Sequence, residues 1–274
     1  MDKRKIIYYE DELGDEFSVK KITPRRIDAS YDYGKSSPWK RFTRFFWYRI
    51  VATPLAILYT KIKFRHRIVG AELLLPYRKC GYFIYGNHTQ DIGDALIPNM
   101  VDKPKSKYVI VHPNNVSIPV LGRIVPSLGG IPLPDDLAAH RNFTATIDRR
   151  IKEGHAIVIY PEAHIWPYYT GIRPFPDDSF FYPVKYGTPV FCFTNTYKSR
   201  GEGREPQIVT YVDGPFLPDD TLPPRERRRD LRDRVRAKMT ERARLSDAEV
   251  IKYLKRTPQD EGSEGNQDQY GENE

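Results

Sequence analysis

Cysteine is nearly absent. The 274 residues hold two, Cys80 and Cys192. They form no Cys-x-x-Cys pair and no metal-ligand spacing, so neither a disulfide framework nor a thiolate metal site is expected to organise the fold. Such usage suits a reducing compartment, and Cys192, inside an apolar run, reads as a core residue. Also missing is an apolar run of the roughly 20 residues that a bilayer-spanning helix needs. The nearest approach, Phe45 to Thr60, contains Arg49 and Pro54. The opening stretch, MDKRKIIYYEDELGDE, carries charges where a secretory leader needs apolar residues, so export is not expected. Basic residues, in turn, are lacking from Gln259 onward, where six acidic residues stand with no Lys or Arg.

That last absence sharpens the charge balance. The whole chain is +8; without the six acidic residues of the tail the remainder is +14. A body so basic favours anionic partners such as phospholipid head groups or phosphorylated substrates. The tail, rich in Gly, Asn, Gln and acidic residues, is expected to be disordered. Hydrophobic residues make up 39%, enough for one large α/β domain with appendages. The expected organisation is an extended arm over 1–37, a membrane-associating helical segment over 38–64, a main domain over 65–258 and the acidic tail over 259–274.

Residues 38–64 read PWKRFTRFFWYRIVATPLAILYTKIKF. Trp39, Phe46, Trp47, Tyr48 and Tyr59 suit a head-group boundary, and basic residues flank the apolar centre: Lys40, Arg41 and Arg44 before it, Lys61, Lys63, Arg65 and Arg67 after it. The pattern fits an amphipathic helical pair, broken at Pro54 and lying in the interface of an anionic membrane. A spanning helix and a core helix are the other two readings.

Beyond it, strand-like runs alternate with helical or mixed segments. The runs are Tyr82 to Tyr85, Lys107 to Val111, Ala156 to Tyr160, Pro189 to Phe193 and Ile208 to Val212. This alternation predicts an α/β fold with a largely parallel sheet flanked by helices. Asp135 and Asp136 are candidate N-caps for a helix ending near Lys152, with Gly154 as its stop. Leu231, Val235 and Met239, four apart, predict a helix with a narrow apolar stripe and a basic outer face.

Ligands of open parallel sheets bind outside the carboxyl ends of the strands. Three polar clusters fall there: Asn87-His88-Thr89, His112-Pro113-Asn114-Asn115 and Glu162-Ala163-His164. His88 has carboxylates three and six residues later, Asp91 and Asp94, and a histidine with a carboxylate partner is the core of a general base. A structural polar cluster is the bland alternative. His112 reads as a strand cap, and His66, His140 and His155 as structural or exposed.

The order of these elements resembles the glycerolipid acyltransferase superfamily, over residues 38 to about 215. Asn87-His88-Thr89 is similar to the opening of its Asn-His, four residues, Asp block. Gly129-Gly130-Ile131 resembles a second block, Tyr160-Pro161-Glu162 a third, and Gly187-Thr188-Pro189-Val190 a fourth. The resemblance implies His88 as general base and Asp94 as its partner, with one residue inserted in the turn; Asp91 is the competitor. It implies that Gly130, Glu162 and His164 lie at the acceptor and that Glu162 orients it. The family's arginines are not matched: Asp135 stands where the second block has one, and the Gly-Thr-Arg of the third block is Ala163-His164-Ile165. Arg173, His164 and Arg141 are the candidate replacements for contact with an acceptor phosphate. The implied reaction moves a fatty acyl group from acyl-CoA or an acyl-carrier protein to a lysophospholipid hydroxyl, 1-acyl-glycerol-3-phosphate foremost, at the cytoplasmic face of the membrane, with no metal and no cofactor.

Two rivals stand beside it. Gly86-Asn87-His88 also resembles a block of metal-dependent phosphoesterases, but the further ligand motifs of that class are missing before Gly86. A non-catalytic basic protein on a membrane or nucleic acid fits the charge. The aromatics, however, gather around residue 45 rather than in a stacking-and-basic motif, so no nucleic-acid partner is expected.

Overall fold

The structure, a computed structural model, describes residues 4–17, 23–33, 38–102, 105–119 and 121–256. The acidic tail expected to be disordered lies outside the described residues. The strands are β1 (Lys5–Tyr9), β2 (Arg67–Val69), β3 (Tyr82–Gly86), β4 (Lys107–Val111), β5 (Gly130–Pro132), β6 (Ala156–Ile159), β7 (Val190–Lys198), β8 (Gln207–Phe216) and β9 (Ile251–Lys255). The helices are α1 (Pro38–Phe45), α2 (Thr53–Phe64), α3 (Gly93–Leu96), α4 (Pro98–Val101), α5 (Pro113–Ser117), α6 (Leu137–Lys152), α7 (Phe181–Tyr186) and α8 (Pro224–Ala243).

Seven strands form one sheet in the order β2-β8-β7-β3-β6-β4-β5. From β7 to β5 all neighbours are parallel; β8 runs antiparallel to β7, and β2 parallel to β8. The architecture is thus a mixed α/β layer fold with a mostly parallel sheet between helices. β3 and β6 are buried along their whole length, as central strands covered on both faces require. Side chains alternate across β3. Phe83 and Tyr85 join a core with Phe143 and Ile147 of α6, Phe180, and Leu231, Val235 and Met239 of α8. Tyr82 and Ile84 face the other way, toward Phe64 of α2, Leu74, Ile97, Met100 of α4 and Phe191. The expected stripe of α8 is the buried one. On α6, Asp136 is the N-cap, its Oδ1 accepting the Ala139 N–H at 2.8 Å, and Gly154 turns the chain away with φ +76°.

Residues 38–64 depart from the expected broken pair. α1 runs into a wide π turn over Phe46–Ala52 and then into α2 without leaving helical conformation. Proline cannot donate a backbone hydrogen bond and its ring crowds the preceding turn. Here Pro54 falls in the first turn of α2, and the Thr53 N–H and hydroxyl both return to the Tyr48 carbonyl. The wide turn absorbs the misfit, so the helix continues. Within it, α2 is apolar on both its inward and its outward side. Ala56, Thr60 and Phe64 are buried, while Leu55, Leu58 and Ile62 on the outward face are exposed together with Trp39, Phe42, Phe45, Phe46 and Ile50. Among the described residues no helix is long and apolar enough to cross a membrane.

Three strands escaped the sequence. β2 and β5 are three residues each, too short for an alternating pattern. β9 takes its partner from the other end of the chain: β1 and β9 form a parallel ribbon, Lys5 opposite Ile251. Tyr253 of this ribbon stacks on Trp166 at 4.9 Å and 15°, so the N-terminal arm and the C-terminal strand together pack over the loop that follows β6.

Gly86, at the end of β3, has no room for a side chain: a Cβ there would lie 2.2 Å from Cζ of the buried Phe193. We expect Gly86→Ala to destabilise the protein by about 1–3 kcal/mol, the usual cost of overpacking a core, measured as a lower midpoint in urea.

Candidate active site

β3 and β6 are adjacent, so the loops leaving their carboxyl ends meet. The Asn87 side chain locks the first of them to β7. Its Nδ2 donates to the Asn195 carbonyl at 3.0 Å and its Oδ1 accepts the Asn195 N–H at 2.8 Å. The chain then turns into α3. Asp94, on the first turn of that helix, points back: its Oδ2 lies 2.8 Å from His88 Nδ1 and accepts the Gln90 N–H at 2.9 Å. Asp91 is exposed. His88 therefore pairs with the carboxylate six residues on. The His88 ring stacks on Tyr160 with centroids 4.5 Å apart, and the Tyr160 hydroxyl donates to the Asp94 carbonyl.

The chemistry follows from burial. Asp94 is 2% exposed, while the His88 side chain keeps 18% of its surface. Burial pushes the Asp94 carboxyl up, opposed by the bond to His88 and by backbone N–H groups. An ionised Asp94 keeps the proton on Nδ1 and leaves Nε2, on the partly exposed ring, with the lone pair. The pair can accept a proton from a ligand hydroxyl and stabilise the imidazolium that results.

Glu162 sits one strand away with no exposed side-chain surface. One carboxylate oxygen accepts the His88 N–H at 3.0 Å, the other the Arg173 N–H at 3.0 Å. Arg173 is equally buried, its Nη2 3.7 Å from Glu162 Oε2. Its guanidinium also donates to the carbonyls of Glu162, His164 and Glu12, and lies 4.8 Å from the Trp166 ring centroid. This geometry corrects two expectations. Glu162 does not face an acceptor here, because its side chain is fully enclosed and each oxygen holds a backbone N–H. Arg173 does not offer its fork to a phosphate, because the fork is enclosed and spent on carbonyls. Together they brace the β6 loop against His88. The loop is strained as well: Ala163 has φ +63° and Tyr168 φ +58°. Non-glycine residues pay of order 1–2 kcal/mol in that region. Ala163 stands where the resemblance has a glycine.

The remaining candidates lie apart. His164 is one-third exposed and pairs with Glu16 at 3.5 Å. Gly130 opens β5, three strands from β3, or about 14 Å at normal strand spacing. Asp135 accepts the Ile27 N–H and donates its own N–H to the Ile27 carbonyl, pinning the N-terminal segment near β5. Arg141 is exposed on α6. His112 caps α5, its Nδ1 accepting the Asn114 N–H at 3.2 Å. Among the described residues, no three His, Cys, Asp or Glu side chains gather as metal ligands would. Sequence reading missed Asn195. Its signal was a polar run, Thr194-Asn195-Thr196, inside an otherwise apolar strand.

No protein-family profile matches the sequence, and no curated protein does. Among solved structures the chain is similar to the 1-acyl-sn-glycerophosphate (LPA) acyltransferase PlsC from Thermotoga maritima. The match has 18% identity and a TM-score of 0.52, and covers 76% of this chain and 81% of that one. At this identity the likeness is one of fold.

Glu162→Gln leaves one acceptor where two backbone N–H groups need one each, and strips the buried Arg173 of its counter-charge. We expect a loss of about 3 kcal/mol in denaturant unfolding, the lower end for a broken buried pair. Any activity should fall with it, without a selective rise in the KM of one substrate.

Proposed function

We propose that this protein is an acyltransferase that moves a fatty acyl group from an acyl thioester to a hydroxyl of a lysophospholipid, with 1-acyl-glycerol-3-phosphate as the leading acceptor. The observation that carries the reading is the His88–Asp94 pair, 2.8 Å apart at the carboxyl end of a central strand, in a fold shared with an LPA acyltransferase. His88 Nε2 takes the proton of the acceptor hydroxyl as its oxygen attacks the thioester carbonyl. The C–S bond breaks, the thiolate leaves and takes up a proton, and the ester remains. Asp94 holds the ring and offsets the imidazolium charge. No acyl-enzyme is needed in this scheme, and the donor is acyl-CoA or an acyl-carrier protein.

The test is incubation with labelled acyl-CoA and a panel of lysophospholipids and neutral acceptors, followed by product identification. His88→Ala should lower turnover by about 10²- to 10⁴-fold, the usual worth of a general base, while the unfolding midpoint stays near that of the native protein. Asp94→Asn should cost less, and Asp91→Asn little. Transfer undiminished in His88→Ala removes the reading and favours the non-catalytic alternative.

The reading extends to the membrane. We infer that the protein docks peripherally, at the cytoplasmic face, through the outward side of residues 38–64. Its support is the row of exposed Trp39, Phe42, Phe46, Ile50, Leu58 and Ile62 in a chain whose body is basic. Apolar burial and attraction to anionic lipid would act together. The protein should co-sediment with vesicles containing anionic lipid better than with neutral ones, and added salt should erase the difference. Replacing Ile50 and Leu58 with serine should release it while leaving its unfolding midpoint unchanged, because both side chains face outward. Equal binding of that variant would place the docking surface elsewhere.

A further inference from the structure

Asp94 has a second line of support, built from one side chain per strand across the other half of the sheet. Asn195 on β7 and Thr210 on β8 are cross-strand partners. His66 precedes β2, where Ile68 is opposite Thr210. Asn195 Nδ2 donates to Asp94 Oδ1 at 3.4 Å. Thr210 Oγ1 donates to Asn195 Oδ1 at 2.6 Å. His66 Nε2 lies 2.7 Å from Thr210 Oγ1. Asn195 and Thr210 are fully enclosed, and His66 is half-buried.

The chain has a direction. Thr210 spends its only hydroxyl proton on Asn195, so toward His66 it has only lone pairs, and His66 Nε2 must be the donor. An ionised Asp94 carboxylate only accepts, so the Asn195 amide must turn its NH₂ toward it, which leaves Oδ1 to accept from Thr210. Every donor from His66 inward thus points toward the Asp94 carboxylate, and hydrogen bonds aligned in this way strengthen one another. Oδ2 serves His88 while Oδ1 faces this arm, so the arm governs rotation of the carboxylate about its own axis. Its outer end is tied to α2, because the His66 N–H returns to the Thr60 carbonyl in the last turn of that helix.

We propose that Asn195, Thr210 and His66 are positioning residues that orient the Asp94 carboxylate and, through it, the His88 ring. The proposal rests on the reading of His88–Asp94 as the acyl-transfer pair. Thr210→Val keeps the shape of the side chain and removes the link; Thr210→Ser keeps the hydroxyl. In Thr210→Val we expect kcat to fall roughly tenfold, the size of one intramolecular hydrogen bond. The KM values of donor and acceptor should hold, and Thr210→Ser should return most of the rate. A second readout needs no turnover: the low-field proton resonance of His88 Nδ1–H, assigned by its disappearance in His88→Ala. It should shift or broaden in Thr210→Val and return in Thr210→Ser. A resonance and a kcat untouched by the valine overturn the proposal, as does a loss that serine fails to restore. If Thr210→Val does not fold, Thr210→Ala cuts the same link without adding a methyl group and is judged by the same two readouts. Should the native protein transfer no acyl group, the acyl-transfer reading fails on that result alone, while the resonance still decides whether the arm orients Asp94.

Discussion

The carboxylate of Glu162 joins two loops that would otherwise leave their strands independently. One oxygen holds the N–H of His88 after β3, the other the N–H of Arg173 beyond β6. The direction of the His88 side chain follows from that clamp, since the ring can meet Asp94 only if its backbone is fixed. The β6 loop follows too. Its left-handed Ala163 and Tyr168 would relax without Arg173 gripping the carbonyls of Glu162 and His164. Strain of this kind persists only where surrounding contacts over-determine it. The β1–β9 ribbon adds a lid of aromatic packing through Trp166 and Tyr253, which keeps water from the Arg173 fork.

Charge kept in such a place costs stability. Burial raises the carboxyls of both Asp94 and Glu162, and their partners only partly reverse it. A carboxyl held above its ordinary value favours the folded state most when protonated. Each group therefore subtracts stability as pH rises from the ordinary carboxylate range through its own folded value. Two buried carboxyls are held against that gradient, and both are bonded to His88, one through its ring and one through its backbone, so the cost falls at the position of that histidine.

Much of this was legible in the chain. β3 and β6 are runs of buried, mostly apolar residues, β4 is a partly buried run that opens on Lys107, and β7 and β8 begin or contain apolar runs; α8 has its stripe and α6 its cap. His88 with Asp94 could be read because both lie in one short segment. What could not be read was contact across long separations. Asn195, 101 residues from Asp94, looks like a polar interruption of a strand, and His66, 144 residues from Thr210, has no neighbour in sequence that reveals it. Arg173 was misread for a related reason. An arginine in a loop suggests an anion outside, whereas most of its hydrogen bonds go to backbone carbonyls, which no side-chain pattern encodes. Pro54 was misread because a proline signals a break only if the turn before it cannot widen.

The position of α2 gives these parts a common logic. Its inward face packs against α3 and α4, the helical turns that carry Asp94 and continue from it, with Thr60 Oγ1 reaching Met100 Sδ at 3.3 Å. Its last turn holds His66 through backbone. Its outward face is apolar. One helix thus meets the Asp94 carboxylate twice, once by packing through α3 and α4 and once by hydrogen bonds through β8 and β7, while its remaining side faces out with residues that water does not favour. A force on that outer side has two short, well-packed routes to Asp94. A helix with an exposed apolar face is therefore also placed to fix the geometry of the His88–Asp94 pair.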